Sequence, residues 1–234
     1  MNWEAPQKPN EWAENKLIES ILDNTFPIGS NLPAERELAA MLGITRPTLR
    51  ETLQRLARDG WVEIRHGHPT RVRDYWQEGQ LAVLAAMAQR SHMLADDFIP
   101  NLLDVRQVMA PAYTRLAIRN NAGQVCEVLR SCIGLEDTPP IYARADWDLH
   151  HRLTILSGNP VYTLMLNGFR DLYLAMGLRY FSIPQARQFS ANFYQDLLKA
   201  AQAGDEEEAE SISLRVMRGS IRFWNELDWN TVHE

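Results

Sequence analysis

Residues 32–61 read LPAERELAAMLGITRPTLRETLQRLARDGW, and the spacing of their leucines decides the fold of the N-terminal third. Leu32-Pro33 leads into a predicted helix over about 34–42 that carries Leu38 and Leu42 inward. Gly43 stops that helix and supplies a tight turn. Thr45 then caps a predicted helix over about 46–59, with Leu49, Leu53 and Leu56 as its core positions and Asp59-Gly60 as its end. Two short helices joined by a glycine-containing turn make a helix-turn-helix. Upstream, Asn10 is expected to cap a helix over about 11–24 with an apolar stripe of Trp12, Leu17, Ile21 and Leu22, ended by Phe26-Pro27-Ile28-Gly29. Downstream the period changes. Residues 61–65 and 70–73 alternate like strands around His66-Gly67-His68-Pro69, which predicts a β-hairpin wing with a basic tip.

Charge points to what this third touches. The chain carries a net −6, yet from Pro33 to Arg73 eight arginines stand against five acids, a local +3. A basic island in an acidic chain suits a protein that meets DNA with one small face. Arg46 and Arg50 share one helix face, away from the leucines, in the half of the helix that enters the major groove. A guanidinium there can fork onto guanine O6 and N7. Thr45 and Thr48 can donate hydroxyls to phosphate or base edges, and Arg36 is placed for the backbone or groove edge. His66 and Gly67 would sit where a wing tip meets the minor groove, with glycine allowing close approach.

From Gln80 onward no strand-like alternation appears. Residues 81–87 are helical by propensity, the long segment from Phe98 follows, and amphipathic stretches cover roughly 122–132, 139–157, 160–181, 185–203 and 205–228. Breaks fall at Gly123, Gly134, Thr138-Pro139-Pro140, Gly158-Asn159-Pro160, Pro184 and Gly204. The fold class is therefore mostly α: a winged helix-turn-helix over 1–75, a linker and connecting helix over 76–95, and an all-helical bundle over 96–234, with about seven helices in all from Gln80 onward. No apolar run approaches the roughly 20 residues that span a bilayer, and no basic segment with an apolar core opens the chain. Cys126 and Cys132 read as reduced, packed thiols of a cytoplasmic protein.

The stretches 32–39, Gly43 to Arg46, Leu49-Arg50-Glu51 and 56–61 resemble the winged-helix domain of GntR-family regulators, in order and in spacing. His150 followed by Ser157-Gly158-Asn159-Pro160 resembles the helical effector domain of the FadR subfamily. Many of its members bind a metal through an aspartate, a histidine four residues on and two later histidines. Asp146 and His150 match the first two, but Tyr194 and Val216 stand at the later positions and complete no site, so no metal is expected. Along nearly its whole length the chain is similar to the acyl-CoA-responsive fatty acid metabolism regulators of that subfamily, through residues 101–106, 157–162, 166–168, Leu172-Tyr173, 179–181, 184–187, Phe193-Tyr194 and the Ser220/Trp224 pair.

This resemblance implies a homodimer on a palindromic operator, with no catalytic activity and with long-chain fatty acyl-CoA as effector ligand rather than any cofactor. Binding of acyl-CoA would loosen DNA binding, derepressing fatty acid degradation and withdrawing activation of unsaturated fatty acid synthesis. The effector site would take its lining from Arg106, His150, Tyr180, Tyr194, Met217, Ser220 and Trp224. An acyl chain needs apolar walls, which Leu164, Met165, Phe169, Tyr180, Phe193 and Tyr194 offer, and Ser220 and Trp224 share one helix face. Arg106 and Arg179 are candidates for the CoA phosphates. Pro47 departs from the family's hydroxyl residue, Met217 from its glycine and His150 from its aromatic. Two alternatives stand beside this one. One is a regulator of the same family answering an organic acid, with or without a metal on Asp146 and His150. The other is an acyl-CoA-handling enzyme or carrier, for which no nucleophile–base pair or nucleotide loop is present.

Overall fold

The computed structural model describes residues 8–90 and 98–225, so any part of the expected 76–95 connection or of the last helix beyond these lies outside the described residues. The chain divides into two compact units, 1–94 and 95–234.

In the first unit α1 runs Pro9–Leu22, α2 Glu35–Met41 and α3 Arg46–Asp59, with α1 and α2 packed on α3. Leu17, Ile21, Leu38, Leu49, Leu53 and Leu56 are buried where α1, α2 and α3 meet. Burying such leucines stabilises by about 1.5–3 kcal/mol each. Two details differ from expectation. Asn10 does not cap α1, because Pro9 already occupies the first turn; its side chain accepts from Glu11 N and donates to Glu51 Oε1 instead. The buried stripe of α1 is Ala13, Leu17, Ile18 and Ile21, leaving Trp12 and Leu22 half-buried. Thr45 caps α3 as predicted, its hydroxyl accepting from Thr48 N. Gly60 ends α3 at φ 100°, a conformation that any Cβ would strain.

The wing is shorter than the alternation suggested. β1 (Val62–Glu63) pairs antiparallel with β2 (Arg71–Val72), Val62 opposite Val72. Trp61 N is spent on Leu56 O, and a turn closed by His68 N on Arg65 O consumes the rest. The segment before α2 adds what periodicity did not reveal: Gly29 N and Leu32 N donate to Val72 O and Thr70 O, and Val72 N to Ser30 O. The wing is thus pinned from its outer side. A short helix α4 (Tyr75–Glu78) follows, its Tyr75 ring 5.1 Å from buried Trp61, and then α5 (Leu81–Ala88).

The second unit is all helical among the described residues. Its helices are α6 (Phe98–Ser131), α7 (Pro139–Leu156), α8 (Pro160–Asn167), α9 (Arg170–Tyr180), α10 (Pro184–Ala203) and α11 (Glu206–Asn225). α6 packs along α7, α10 and α11, while α9 lies on α7. The expected break at Gly123 falls instead at Asn121, at φ −149°, for a tertiary reason. Asn120 and Asn121 turn their amides onto Ser157 O and Leu156 O, satisfying carbonyls at the end of α7. The stretch expected as one helix over 160–181 is broken after Asn167, where Phe169 leaves helical geometry and turns into a cavity. Asp205 Oδ1 accepts from Glu208 N at the start of α11.

Candidate nucleic-acid interface and ligand cavity

The residues expected to meet DNA lie in the first unit. Arg46, Pro47 and Thr48 form the first turn of α3, and Pro47 costs little there because its missing N–H would have no helical partner. The Thr45 and Thr48 hydroxyls lie 2.8 Å apart. Arg36, Arg46 and Arg50 are exposed. Arg50 Nε donates to Glu35 Oε2 at 2.8 Å, whereas Arg36 and Arg46 have no ion-pair partner among the described residues. At the wing tip His66 is exposed and Gly67 adopts φ 77° with open space around it. Exposed arginines of α2 and α3, hydroxyls at the α3 N-terminus and a glycine-tipped wing thus all belong to the first unit.

The second unit contains a cavity between α6, α7, α8, α9 and α11, with mainly apolar walls that include Leu102, Met109, Met165, Phe169, Leu172 and Met176. Polar side chains reach it in two groups. Tyr180 donates to Ser220 Oγ at 3.3 Å, and Ser220 donates in turn to Val216 O at 2.9 Å, with Trp224 on the same wall. The other group surrounds Asp146. Its Oδ2 accepts from Tyr173 at 2.6 Å and from Arg106 Nη2 at 3.2 Å, and its Oδ1 accepts from Tyr194 at 3.0 Å. Arg106 also donates to Tyr173 Oη at 2.6 Å and lies 4.8 Å over that ring. The Tyr113 hydroxyl meets His150 Nδ1 at 2.8 Å. His150 Nε2 is buried, 3.8 Å from Asp146 Oδ1, with no hydrogen bond among the described residues.

Electrostatics follows from this packing. Burial opposes the charge on Arg106, but Tyr173 and Asp146 outweigh it and hold the guanidinium above its usual range. Burial alone would raise Asp146; His150 and Arg106 beside it, and the bonds from Tyr173 and Tyr194, hold it below the usual carboxylate range. His150 is pushed down to about 4 by burial and by Arg106, with Asp146 opposing only in part, so it is neutral near pH 7. Burial pushes Tyr180 up to about 12, keeping its hydroxyl a donor.

Of the effector residues expected from sequence, Arg106, Tyr180, Ser220 and Trp224 line the cavity, as do Met165 and Phe169. His150, Tyr194 and Met217 are buried behind its walls, and Phe193 stacks on His150 with ring centres 6.1 Å apart. Leu164 points outward, 69% exposed. Arg179 is exposed, and Arg106 pairs with Asp146. The wall residues Tyr113, Asp146 and Tyr173 were not expected as lining. Asp146 carried a sequence signal through its spacing from His150, and Tyr173 through the Leu172-Tyr173 stretch of the resemblance; Tyr113 carried none. Tyr194, at a later position of the family's metal set, is a donor to Asp146, and the described residues contain no cluster of three His, Cys, Asp or Glu that could hold a metal. No helix among the described residues is long and apolar enough to cross a membrane.

Residues 9–72 match the gntR family of bacterial regulatory proteins, and residues 73–233 match the FadR C-terminal domain. The fatty acid metabolism regulator protein of Klebsiella pneumoniae subsp. pneumoniae is 41% identical over 221 residues, covering 94% of this chain and 92% of that protein. The protein of the same name from Shewanella denitrificans is 43% identical over 219 residues, with the same coverage of 94% and 92%. Among solved structures, the Listeria monocytogenes regulator Lar, described as controlling the agr system, is 14% identical with a TM-score of 0.59; the alignment covers 97% of this chain and 100% of that one. That likeness concerns the fold alone.

Proposed function

The chain belongs to the GntR family of bacterial regulatory proteins, in its fatty acid metabolism regulator branch, and on that premise we propose that it is a transcription regulator released from DNA by long-chain acyl-CoA. Residues 1–75 read the operator, 76–95 connect, and 96–234 sense the ligand. Arg36, Thr45, Arg46, Thr48, Arg50, His66 and Gly67 contact DNA, two copies engaging a palindrome as a homodimer in the cytoplasm. Acyl-CoA binding derepresses fatty acid degradation and withdraws activation of unsaturated fatty acid synthesis. The protein acts by binding, not by catalysis.

The observation that carries this function is the cavity of the second unit. Its walls suit a hydrocarbon chain, and the Tyr180–Ser220 bond and the Trp224 ring offer polar and aromatic groups to a thioester and its carrier. His150, Tyr194 and Met217 shape it from behind, so exchange at these positions alters the chain length preferred without touching the ligand. A ligand moves the DNA equilibrium only if it prefers the arrangement that does not bind DNA. The test is fluorescence anisotropy on a palindromic duplex, at one salt concentration, with long-chain acyl-CoA or with free CoA. Release by acyl-CoA alone is expected; specific binding that neither ligand disturbs contradicts the effector assignment.

A further inference from the structure

Glu35 and Arg50 belong to different helices of the helix-turn-helix and meet across its turn, with Arg50 Nε donating to Glu35 Oε2 at 2.8 Å. The side chains are 67% and 40% exposed, so the pair contributes little to stability. A carboxylate beside a DNA-reading arginine also repels phosphate, which lowers affinity for every sequence alike. Its geometry, however, is selective. The bond occupies Nε and leaves Nη1 and Nη2 without a hydrogen bond among the described residues. Those two nitrogens form the end-on fork that matches guanine O6 and N7. Arg36 and Arg46, also exposed, have no such clasp among the described residues. Holding a long side chain in its reading orientation before DNA arrives reduces the ordering cost of contact.

We propose that Glu35 is a positioning residue for sequence discrimination: it clasps Arg50 so that the fork faces a guanine edge, while its charge lowers affinity for all DNA and leaves the guanine contact to restore it at the right sequence. The proposal rests on Arg50 being a base reader. It makes Glu35 a determinant of the ratio between specific and non-specific affinity, through an arginine and not through any base contact of its own.

The test uses the full chain and a palindromic duplex selected by the wild-type protein from a random pool. Each single base-pair variant of that duplex and a scrambled duplex are titrated at fixed salt with wild type, Glu35→Ala, Glu35→Gln, Arg50→Ala and the Glu35→Ala/Arg50→Ala double variant. Arg50→Ala flattens discrimination at one symmetry-related G·C pair. Glu35→Ala is expected to lose about tenfold of the discrimination at that same pair, to bind the scrambled duplex more tightly than wild type, and to add nothing in the Arg50→Ala background. Glu35→Gln, which keeps an acceptor for Nε but no charge, restores the discrimination while keeping the raised scrambled affinity. A Glu35→Ala profile identical to wild type, with Arg50→Ala flattened, overturns the positioning role; so does an effect of Glu35→Ala that persists without Arg50. An Arg50→Ala profile identical to wild type overturns the base-reader assignment, and the positioning role with it.

Discussion

Arg106 Nη2 lies 3.2 Å from Asp146 Oδ2, and both residues line a cavity whose other walls are mainly apolar. With Asp146 buried and Arg106 half-buried, a pair of this kind gains little over an apolar replacement, but removing one partner leaves an uncompensated charge. Asp146→Leu is therefore expected to lower the unfolding free energy by about 3–5 kcal/mol. Arg106→Met combined with Asp146→Leu should recover most of that loss. Urea unfolding of the single and double variants checks this, and an equal loss in both would contradict it.

His150 supplies a pH dependence whose sign is determined by burial. Its folded value of about 4 lies below the unfolded value near 6.5, so the unfolded chain binds the extra proton first as pH falls. Stability is full above about pH 6.5 and declines towards pH 4, by on the order of 3 kcal/mol from this group. Asp146, held low, adds to the loss only when pH falls through its own depressed value. His150→Phe should flatten the decline between pH 6.5 and 4, as followed by thermal melting across that range.

Ser220 and Tyr180 share one hydrogen bond on the cavity wall, remote in sequence from the proposed DNA face. Ser220→Asn places a bulkier amide there and should blunt release by acyl-CoA while leaving operator affinity unchanged. Anisotropy titration with ligand reads both quantities. Full ligand sensitivity in the variant would remove Ser220 from the effector site.

Gly219 precedes Ser220 and faces α10: a Cβ on it would fall 2.3 Å from the Phe189 ring, which itself packs 5.5 Å from Phe223. Gly219→Ala must displace that ring, and overpacking of this kind costs about 1–3 kcal/mol. A melting temperature equal to wild type would show that Phe189 yields freely.

On the proposed DNA face, Arg46→Ala should weaken specific binding by about 1–3 kcal/mol, with little change in stability because its side chain is exposed and has no ion pair among the described residues. Unchanged affinity for the selected duplex would exclude Arg46 as a base reader.

The sequence by itself determined the helix-turn-helix nearly to the residue. Thr45, Gly60 and the leucines of α3 act over one or two turns of their own helix, and caps and periodic apolar positions are local signals. It also placed Arg46 and Arg50 on one face and Ser220 and Trp224 on another, because a helical face follows from spacing alone. What spacing could not give is which face meets which neighbour. The break at Asn121 exists because two asparagine amides reach the end of α7, and the break before Arg170 turns Phe169 into the cavity. The isolated bridge of Asn31 with Arg71 joins segments 40 residues apart in sequence. Only the tertiary structure decided that Arg106 answers Asp146 rather than solvent, and that His150, Tyr194 and Met217 stand behind the cavity instead of facing it. Burial and charge pairing are properties of contacts between helices, and those contacts are written in no single stretch of the chain.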